Sequence, residues 1–418
     1  MIYAYTLLTS MIYPLLYFLS LFSKQLQSFL LIRRLEKKAI LATTNTFRQP
    51  CYWLHAASVG ELDQCKSLAM ELKKTKPSIF IILSVYSNSV SQKQLEHAAL
   101  DFTFHLPLDF YFSYNFIFRK FQPNTLIIMA WDTWPHLLLA ASRHNVRTLL
   151  TCASINQTSG RMKWPVSSLM KNVLSSVDNI FPANAMQVEL FENLADKQKI
   201  GIAGDTRFDA VMHRIKKLKP HSSFEKFIKN HKLTKPVFIL GSTYRQCDAM
   251  LLTAISLLPQ FNFWIFPHKI NPQRIEEISS SLSSAGITYS LYSQIQDSNS
   301  QTRVIIFDQL GILAFAYKHA WAAYVGGAMH NQVHNVIEPA YFGLPLFTGP
   351  RISNSPEAQE LEKNGGLHVV HSGKDMHGKI QDLFAEKKKY SQISKSNKKY
   401  VIANTGFSQK LCLEIIVK

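Results

Sequence analysis

The feature that most constrains the fold is a repeated alternation of short apolar runs with helical stretches. The first half of the chain contains the runs CYWLHA, IFIILSV, TLIIMA, VRTLLTC, IFPA and KIGIAG, and the second half contains PVFILGS, FNFWIFP, RVIIFD, WAAYVGG and LPLFTG. Continuous apolar runs rich in β-branched residues are typical of parallel strands that helices cover on both faces. The alternation therefore predicts an α/β protein with two doubly wound, Rossmann-like domains that face a cleft.

The two series of runs are separated by a basic and polar stretch at residues 209–235. A length of 418 residues exceeds what one ordinary core holds, and such a change of composition marks a domain junction. We therefore predict a membrane-anchor or amphipathic helix over residues 1–32 and a first domain over 33–208. A second domain would cover 209–418, and its last helix could pack back on the first domain.

The amino-terminal stretch is apolar, and no charged side chain precedes Lys24. About 20 such residues suffice to cross a bilayer. The basic residues Arg33, Arg34, Lys37 and Lys38 follow, and the positive-inside rule places them and the rest of the chain in the cytoplasm. Tyrosines within the stretch would equally suit a helix lying in the membrane interface. The sequence predicts an anchor to the inner membrane and leaves its depth open.

Charge and cysteine content narrow the possible partners. The 46 Lys and Arg residues against 28 Asp and Glu residues give a formal charge of +18, which predicts an anionic partner. No basic motif interleaved with aromatic residues is present, so nucleic acid is not expected. The five scattered cysteines form no C-x-x-C pair, which argues against a disulfide framework or a zinc site.

The segment HAASVGE allows two interpretations of Glu61. Ser58 and Glu61 have the spacing of a helix capping box, in which the Glu61 carboxylate would accept from the Ser58 N–H. Alternatively, Glu61 is a catalytic base, because open α/β sheets place their chemistry at the carboxyl ends of strands. The spacing alone leaves both interpretations open.

A second candidate site lies in YVGGAMHNQVHNVIEPAYFGLPLFTGP. A strand ends at Gly326 and Gly327, and a helix is predicted after Asn335, whose free N–H groups would bind phosphate. Glu338 either caps this helix or accepts hydrogen bonds from a ribose.

Other strand ends add weaker signals to the second site. The turn at Gly241 and Ser242 suits phosphate or sugar oxygens, and His268 with Lys269 would stabilise a leaving phosphate. His330 and His334 have a zinc-like spacing. However, Asn331 stands where a zinc helix has Glu, so no metal is predicted.

Taken together, a series of motifs along the chain resembles the Kdo transferase family. The motifs are WLHAASVGE, WDTWPHLL, GDTRFD, ILGST, FPHKI, FDQLGIL, the long Gly-led segment above and NTG at residues 404–406. Kdo is 3-deoxy-D-manno-octulosonic acid. The matches run in order over nearly the whole chain. The resemblance implies the GT-B glycosyltransferase fold and transfer of Kdo from CMP-Kdo to a glucosamine hydroxyl of a lipid A precursor. It also implies inversion at the sugar and no metal or other cofactor.

The resemblance also implies roles for individual residues. Glu61 corresponds to the catalytic base of the family, and Ser58, Gly60 and Asp132 lie on the acceptor side. The positions implied for CMP binding are Gly241, Ser242, His268, Lys269, Gly326, Gly327, His334, Asn335 and Glu338.

The chain departs from the family pattern at two places. Ala130 replaces the first acid of the family motif E-T-E-L-W-P, and Asp132 keeps the second carboxylate. Gln332 and Val333 replace a pair of glycines. Two alternatives stay open at this point: another GT-B enzyme, such as a UDP-sugar transferase or epimerase, and a catalytically impaired, membrane-associated homologue.

Overall fold

The structure is a computed structural model and describes residues 1–43, 49–155, 159–217, 222–230, 234–295, 302–353 and 355–417. The chain forms two compact units. Unit 1 comprises Met1–Ala210 and Thr405–Lys418, and unit 2 comprises Val211–Asn404. The junction predicted from the sequence lies close to this division, whereas the last residues, assigned above to the second domain, fall in unit 1.

Unit 1 is built on a six-stranded parallel sheet with strand order β3-β2-β1-β4-β5-β6. Its strands are β1 (Cys51–Ala56), β2 (Phe80–Val85), β3 (Phe102–His105), β4 (Thr125–Met129), β5 (Arg147–Ala153) and β6 (Asn179–Pro182). Its helices are α1 (Ile2–Ser20), α2 (Lys24–Ala42), α3 (Val59–Thr75), α4 (Gln92–Leu95), α5 (Asn115–Phe121), α6 (Pro135–Arg143), α7 (Val166–Ser175) and α8 (Ala185–Glu192). Every residue of β1 and β4 is buried, as the continuous apolar runs predict.

Helix α9 (Thr206–Lys217) follows, and unit 2 is built on a seven-stranded parallel sheet with strand order β13-β12-β11-β7-β8-β10-β9. Its strands are β7 (Val237–Thr243), β8 (Asn262–Pro267), β9 (Tyr289–Leu291), β10 (Val304–Ile306), β11 (Ala322–Val325), β12 (Leu346–Thr348) and β13 (Leu367–Val369). Its helices are α10 (Ser222–Asn230), α11 (Arg245–Leu257), α12 (Pro272–Ser284), α13 (Leu313–Ala316), α14 (Ile337–Tyr341), α15 (Pro356–Lys363), α16 (Gly373–Ala385) and α17 (Lys387–Ala403). The prediction of two doubly wound parallel sheets is confirmed.

The last helix, α18 (Phe407–Val417), packs against α3 within unit 1. Its residues Phe407, Leu411, Cys412 and Ile415 join the apolar core between β1, β2 and α3. Asp209 caps α18, because its two carboxylate oxygens accept from the N–H groups of Gly406 at 2.5 Å and Ser408 at 2.6 Å. The sequence motifs GDTRFD and NTG therefore meet at this cap.

Some strand predictions were wrong. The run KIGIAG forms one isolated bridge, between Ile180 and Ile200, and no strand. Its glycines instead allow aromatic rings to pack directly against the backbone. A Cβ at Gly204, for example, would lie 2.2 Å from the Phe407 ring. Strands β3, β9 and β13 were missed. All three are sheet edges with half-buried residues, so they lack a continuous apolar run.

Candidate active sites at the carboxyl ends of the two sheets

In unit 1 the strand order reverses between β1 and β4, which are neighbours in the sheet. Open α/β sheets bind ligands in the crevice beyond the carboxyl ends of the strands at such a reversal. The segments that follow these two strands carry Glu61 and Asp132. Both acids predicted from the sequence therefore lie at the reversal point of the sheet.

Glu61 lies in the first turn of α3, and its carboxylate folds back over the turn that precedes the helix. Ser58 is the N-cap, and its hydroxyl accepts from the Glu61 N–H at a long 3.5 Å. The Glu61 Oε2 atom accepts from the Ala57 N–H at 2.5 Å. The carboxylate thus bonds one residue earlier than a capping box requires, so the predicted bond to the Ser58 N–H is wrong.

The surroundings of Glu61 favour its protonated form. Burial raises the pKa of Glu61, the Ala57 hydrogen bond opposes this rise, and the negative charge of Asp132 adds to it. The net pKa lies above the ordinary value of 4.5. A carboxylate whose pKa is raised in this way is a better proton acceptor than an exposed one. Gly60 next to it is exposed, and a Cβ there would meet only Ser58 Oγ, at 4.0 Å.

Asp132 is held by a buried histidine that the sequence analysis did not single out. His55 is fully buried in β1, and its Nε2 atom lies 2.8 Å from Asp132 Oδ2. On the other side of the ring, Nδ1 lies 2.8 Å from the Ser84 hydroxyl, which accepts from Trp53 Nε1 at 2.8 Å. A polar residue inside the otherwise apolar run CYWLHA was the signal for this network.

Asp132 is ionised by this environment. Its burial raises the pKa, but hydrogen bonding and attraction from His55, the Trp134 indole N–H and the charge of Arg161 outweigh that effect, so the net pKa is lowered. Ala130, which stands where the family has an acid, adopts the left-handed backbone conformation at φ 54°. This conformation is uncommon outside glycine and clusters at functional sites.

In unit 2 the order reverses between the neighbouring strands β7 and β11. Their ends carry Gly241, Ser242, Gly326 and Gly327. Ser242 forms a bulge in β7 with φ 53°, which turns its carbonyl group toward β11. A Cβ at Gly326 would lie 1.9 Å from that carbonyl oxygen, so only glycine fits there.

Gly327 begins the loop that leads to α14, and it adopts φ 99°. A Cβ there would lie 2.2 Å from the Gln332 carbonyl oxygen. The His334 N–H donates to the Gly326 carbonyl at 3.0 Å, which folds the loop back on the strand end. The two glycines thus allow a tight loop that brings His334 beside β7.

Three aromatic rings stack at this strand end. The ring centroids of His268 and His334 are 4.5 Å apart, and Tyr244 stacks on His268 at 4.6 Å. The Tyr244 hydroxyl lies 2.8 Å from His334 Nε2. Burial and the nearby His268 lower the pKa of His334 from 6.5 to about 4, which keeps this ring neutral. Tyr244 was missed from the sequence, although it follows the quoted motif ILGST directly.

His268 and Lys269 are both exposed beyond the end of β8. The His268 N–H donates to the Thr243 carbonyl at 3.0 Å, so the backbone of this turn is tied to β7. Partial desolvation of the ring, which stacks on Tyr244 and His334, and the positive charge of Lys269 lower the pKa of His268.

The phosphate site predicted at the helix after Asn335 needs correction. Helix α14 begins at Ile337 and has five residues. The Asn335 side chain already accepts from the N–H groups of Ile337 at 2.9 Å and Glu338 at 3.4 Å. Glu338 is buried and forms an ion pair with Arg214. The first N–H groups of this helix are therefore satisfied within the protein, and Arg214 is a neighbour of Glu338 that sequence analysis missed.

Among the described residues, no three His, Cys, Asp or Glu side chains are grouped so that they could hold a metal ion. His334 lies in the ring stack, and His330 is exposed with its ring centroid 6.2 Å from that of Tyr244. The expectation of a metal-independent reaction stays a prediction.

The chain is similar in sequence to known transferases. A family model described as 3-deoxy-D-manno-octulosonic-acid transferase (kdotransferase) matches residues 32–210. The chain is 23% identical over 373 residues to a 3-deoxy-D-manno-octulosonic acid transferase of Haemophilus influenzae, with 86% of this chain and 85% of the relative covered. A protein of the same name from Chlamydia muridarum is 24% identical over 375 residues, with 88% and 85% covered.

Solved structures agree with the fold. The UDP-GlcNAc 2-epimerase of Neisseria meningitidis, bound to UDP-GlcNAc, superposes with a TM-score of 0.64 at 16% identity and covers 88% of this chain and 99% of its own. A glycosyltransferase of Rickettsia africae has a TM-score of 0.61 at 12% identity, with 89% and 97% covered. At these identities the likeness establishes the GT-B architecture of the chain.

Proposed function

Because the chain belongs to the 3-deoxy-D-manno-octulosonic acid transferase family and is a glycosyltransferase, we propose that it moves Kdo from CMP-Kdo to a glucosamine hydroxyl of a lipid A precursor. Unit 1 binds the acceptor and unit 2 binds the donor. Glu61 is the general base of the reaction.

The observation that carries this proposal is the environment of Glu61. Its carboxylate lies at the reversal point of the unit 1 sheet, and burial with the charge of Asp132 raises its pKa. Oε2 accepts from the Ala57 N–H, and we assign Oε1 to the acceptor hydroxyl. Gly60 has no side chain to cover the backbone of this turn, so an acceptor can approach the backbone closely.

The chemical step is a direct displacement with inversion. The acceptor oxygen forms a bond to the anomeric carbon of Kdo while its proton passes to Glu61. The bond between that carbon and the phosphate oxygen breaks, and CMP leaves with the electron pair. A positioned base contributes about 10²- to 10⁴-fold to such a step.

On the donor side the proposal relies on the exposed side chains of His268 and Lys269 and on the ring stack. Since Asn335 already binds the first N–H groups of α14, we assign stabilisation of the leaving phosphate to His268 and Lys269. Glu338 Oε2 accepts from a ribose hydroxyl while Oε1 stays in its ion pair with Arg214. The bulge at Ser242 and the glycines at 326 and 327 shape the strand ends to which we assign the nucleotide.

The acceptor and the amino-terminal helix suggest where the reaction occurs. One described helix, α1, is long and apolar enough to cross a membrane. We propose that the protein works at the cytoplasmic face of the inner membrane, where excess Lys and Arg residues attract it to anionic lipid and to a phosphorylated acceptor.

The test is transfer of Kdo from CMP-Kdo to a tetraacylated lipid A precursor, followed by mass spectrometry. Glu61→Gln is the decisive variant, because its amide oxygen can still accept from the Ala57 N–H but cannot take a proton. We expect its rate to fall by about 10²- to 10⁴-fold. Glu71→Gln, on the same helix α3, is the matched control and should keep full activity.

CMP binding, followed by thermal stabilisation, separates the possible failures. Glu61→Gln should bind CMP as the wild type does, since the change lies in unit 1. Full activity in Glu61→Gln would return this residue to a capping role. A wild-type protein that UDP stabilises and CMP does not would overturn the proposed donor in favour of a UDP-sugar enzyme.

A further inference from the structure

Helix α1 presents its polar residues to unit 1 and its apolar residues to solvent, the reverse of a surface helix in a soluble protein. The half-buried residues recur at spacings of three and four: Ile2, Tyr5, Thr6, Thr9, Ser10, Tyr13, Leu16 and Ser20. The exposed side chains include Leu7, Leu8, Met11, Leu15 and Phe18 of the helix and Leu21 and Phe22 just after it, each more than half exposed at 52–77%. So large an apolar face marks an interaction surface.

Specific contacts hold the polar face of α1 against the rest of unit 1. The Tyr5 hydroxyl donates to Asp109 Oδ2 at 2.8 Å, and Asp109 is 8% exposed. The same carboxylate accepts from the N–H groups of His136 and Leu137 at 3.2 Å, at the start of α6. Thr6 Oγ1 lies 3.0 Å from His136 Nε2. Withdrawal of α1 would break these contacts, at about 0.5–1.5 kcal/mol for each hydrogen bond.

These contacts determine whether α1 crosses the bilayer or lies along its surface. From Tyr5 to Tyr13, whose ring stacks on Phe110 at 5.2 Å, the helix is attached to unit 1 over about 12 Å. The residues from Pro14 to Ser20 add only about 10 Å. A hydrocarbon core of about 30 Å cannot be crossed by that remainder.

The charges beside α1 identify the partner as anionic lipid. Helix α2, which pairs with α1, exposes Lys24, Arg34, Lys37 and Lys38. Its one acid, Glu36, is bound by His105 Nδ1 at 2.8 Å. Arg33 is buried and donates to the carbonyls of Leu106 and Tyr86, so it is a structural residue and not part of the basic cluster predicted from the sequence. The remaining cations are exposed on the helix that contacts α1, and α1 itself contains no acid.

We propose that α1 lies in the interface of one leaflet, with its exposed apolar face in the acyl region and its polar face on unit 1. This inference rests on the membrane association proposed above and specifies its geometry. The cations of α2 would then contact lipid phosphates at the same level. Because α1 is attached to unit 1, the acceptor-binding sheet is held at the membrane surface.

The test is a depth measurement on the full chain bound to vesicles of phosphatidylethanolamine and phosphatidylglycerol. Spin labels are placed singly at positions 8, 11, 15 and 18, and oxygen and nickel-chelate accessibilities give the depth of each. The five native cysteines are all buried, which favours selective labelling of the introduced one. We expect all four labels at one shallow depth, about 5–10 Å below the headgroups.

A label depth that rises to the bilayer centre near position 11 and falls toward both ends would show a span and overturn the proposal. Failure to bind vesicles would overturn it too, as would spin–spin broadening between copies, which would identify a second copy of the chain as the occupant. None of these outcomes depends on Kdo transfer, so the enzymatic proposal stands or falls separately.

A pair of variants checks which surface binds. Met11→Glu should weaken vesicle binding by at least about tenfold, because it places a charge where an apolar side chain was buried in lipid. Leu257→Glu changes an exposed apolar residue of α11 in unit 2 and should leave binding unchanged. Equal binding of both variants would exclude α1 as the contact surface.

Discussion

His55 Nε2 lies 2.8 Å from Asp132 Oδ2, and the His55 ring has no exposure to solvent. Polar contacts surround the ring. Trp53 Nε1 donates to the Ser84 hydroxyl, His55 Nδ1 lies 2.8 Å from that hydroxyl and 3.2 Å from the Ser84 carbonyl oxygen, and Nε2–H donates to the ionised Asp132. Against the opposing effect of burial, His55 lowers the pKa of Asp132, and the negative charge of Asp132 in turn adds to the raised pKa of Glu61.

The first prediction concerns the stability that His55 provides. His55→Phe removes a donor from a buried carboxylate and should lower the free energy of unfolding by about 1–3 kcal/mol, measured by urea denaturation near neutral pH. His55→Gln keeps a donor and should retain part of that stability. Equal losses in both variants would show that packing, not the hydrogen bond, is what matters.

The pH dependence of the same variants has a definite sign. The pKa of Asp132 is lowered in the folded protein, so its stabilisation is present above its unfolded value of about 3.9 and is lost as the pH falls through the folded pKa. In His55→Phe that folded pKa rises, and acid unfolding should begin at higher pH. Circular dichroism across an acid titration measures this.

The second prediction concerns the proposed base. Asp132→Asn keeps an acceptor for His55 but removes the negative charge that raises the pKa of Glu61. The pKa of Glu61 should fall, and the acidic limb of kcat/KM for Kdo transfer should move to lower pH. An unmoved limb would mean that another group controls it. Asp63→Asn on the same α3 helix serves as a control for general loss of negative charge.

The third prediction concerns the bulge at Ser242. Gly326→Ala would bring a methyl group onto the Ser242 carbonyl oxygen. The backbone must shift to remove that clash, which should lower the free energy of unfolding of unit 2 by about 1–3 kcal/mol. Gly378→Ala, in the open interior of helix α16, should instead stabilise it by about 0.5–1 kcal/mol. Opposite shifts in melting temperature would confirm the assignment. Similar shifts would contradict it.

The fourth prediction concerns His334. The pKa of His334 is lowered to about 4 in the folded protein, whereas an unfolded histidine has a pKa of about 6.5. As the pH drops from about 6.5 to about 4, His334 therefore binds a proton in the unfolded chain but not in the folded one, and the free energy of unfolding should fall. His334→Gln should remove about 2–3 kcal/mol of this loss. Urea denaturation at pH 7 and pH 4.5 measures it. A wild-type slope that persists in the variant would assign the effect to other groups.

The fifth prediction concerns the cap that holds α18. Asp209→Ala leaves the N–H groups of Gly406 and Ser408 without their acceptor and should cost about 1–2 kcal/mol of unit 1 stability. Asp209→Asn keeps one acceptor oxygen and should lose less. Hydrogen exchange of α18 amides reports this directly. Faster exchange limited to unit 2 would contradict the assignment.

Much of the fold could be predicted from the sequence because the central strands are apolar along their whole length. Runs such as FIILSV in β2 and VFILGST in β7 carry the burial signal by themselves. The edge strands β3, β9 and β13 do not, since one side of each faces no neighbour. KIGIAG was misread because apolar residues with glycines also suit a segment packed under aromatic rings.

For the sites, the sequence predicted positions better than contacts. Glu61, Asp132 and the glycines at 326 and 327 lie at strand ends, and strand ends can be read from hydrophobic runs. The partner of Asp132 could not be read, because His55 and Asp132 are 77 residues apart and meet only through the pairing of β1 with β4. Likewise, Arg214 and Glu338 are 124 residues apart.

The return of the chain to unit 1 after residue 404 has a consequence for its biosynthesis. Unit 2 is inserted into unit 1, so the groove on α3 that receives Leu411 and Ile415 stays open while the ribosome makes everything in between. The domain that is started first is therefore completed last. A nascent chain carries an unfinished amino-terminal domain until its final helix emerges, and this interval is when the chain most needs protection from aggregation.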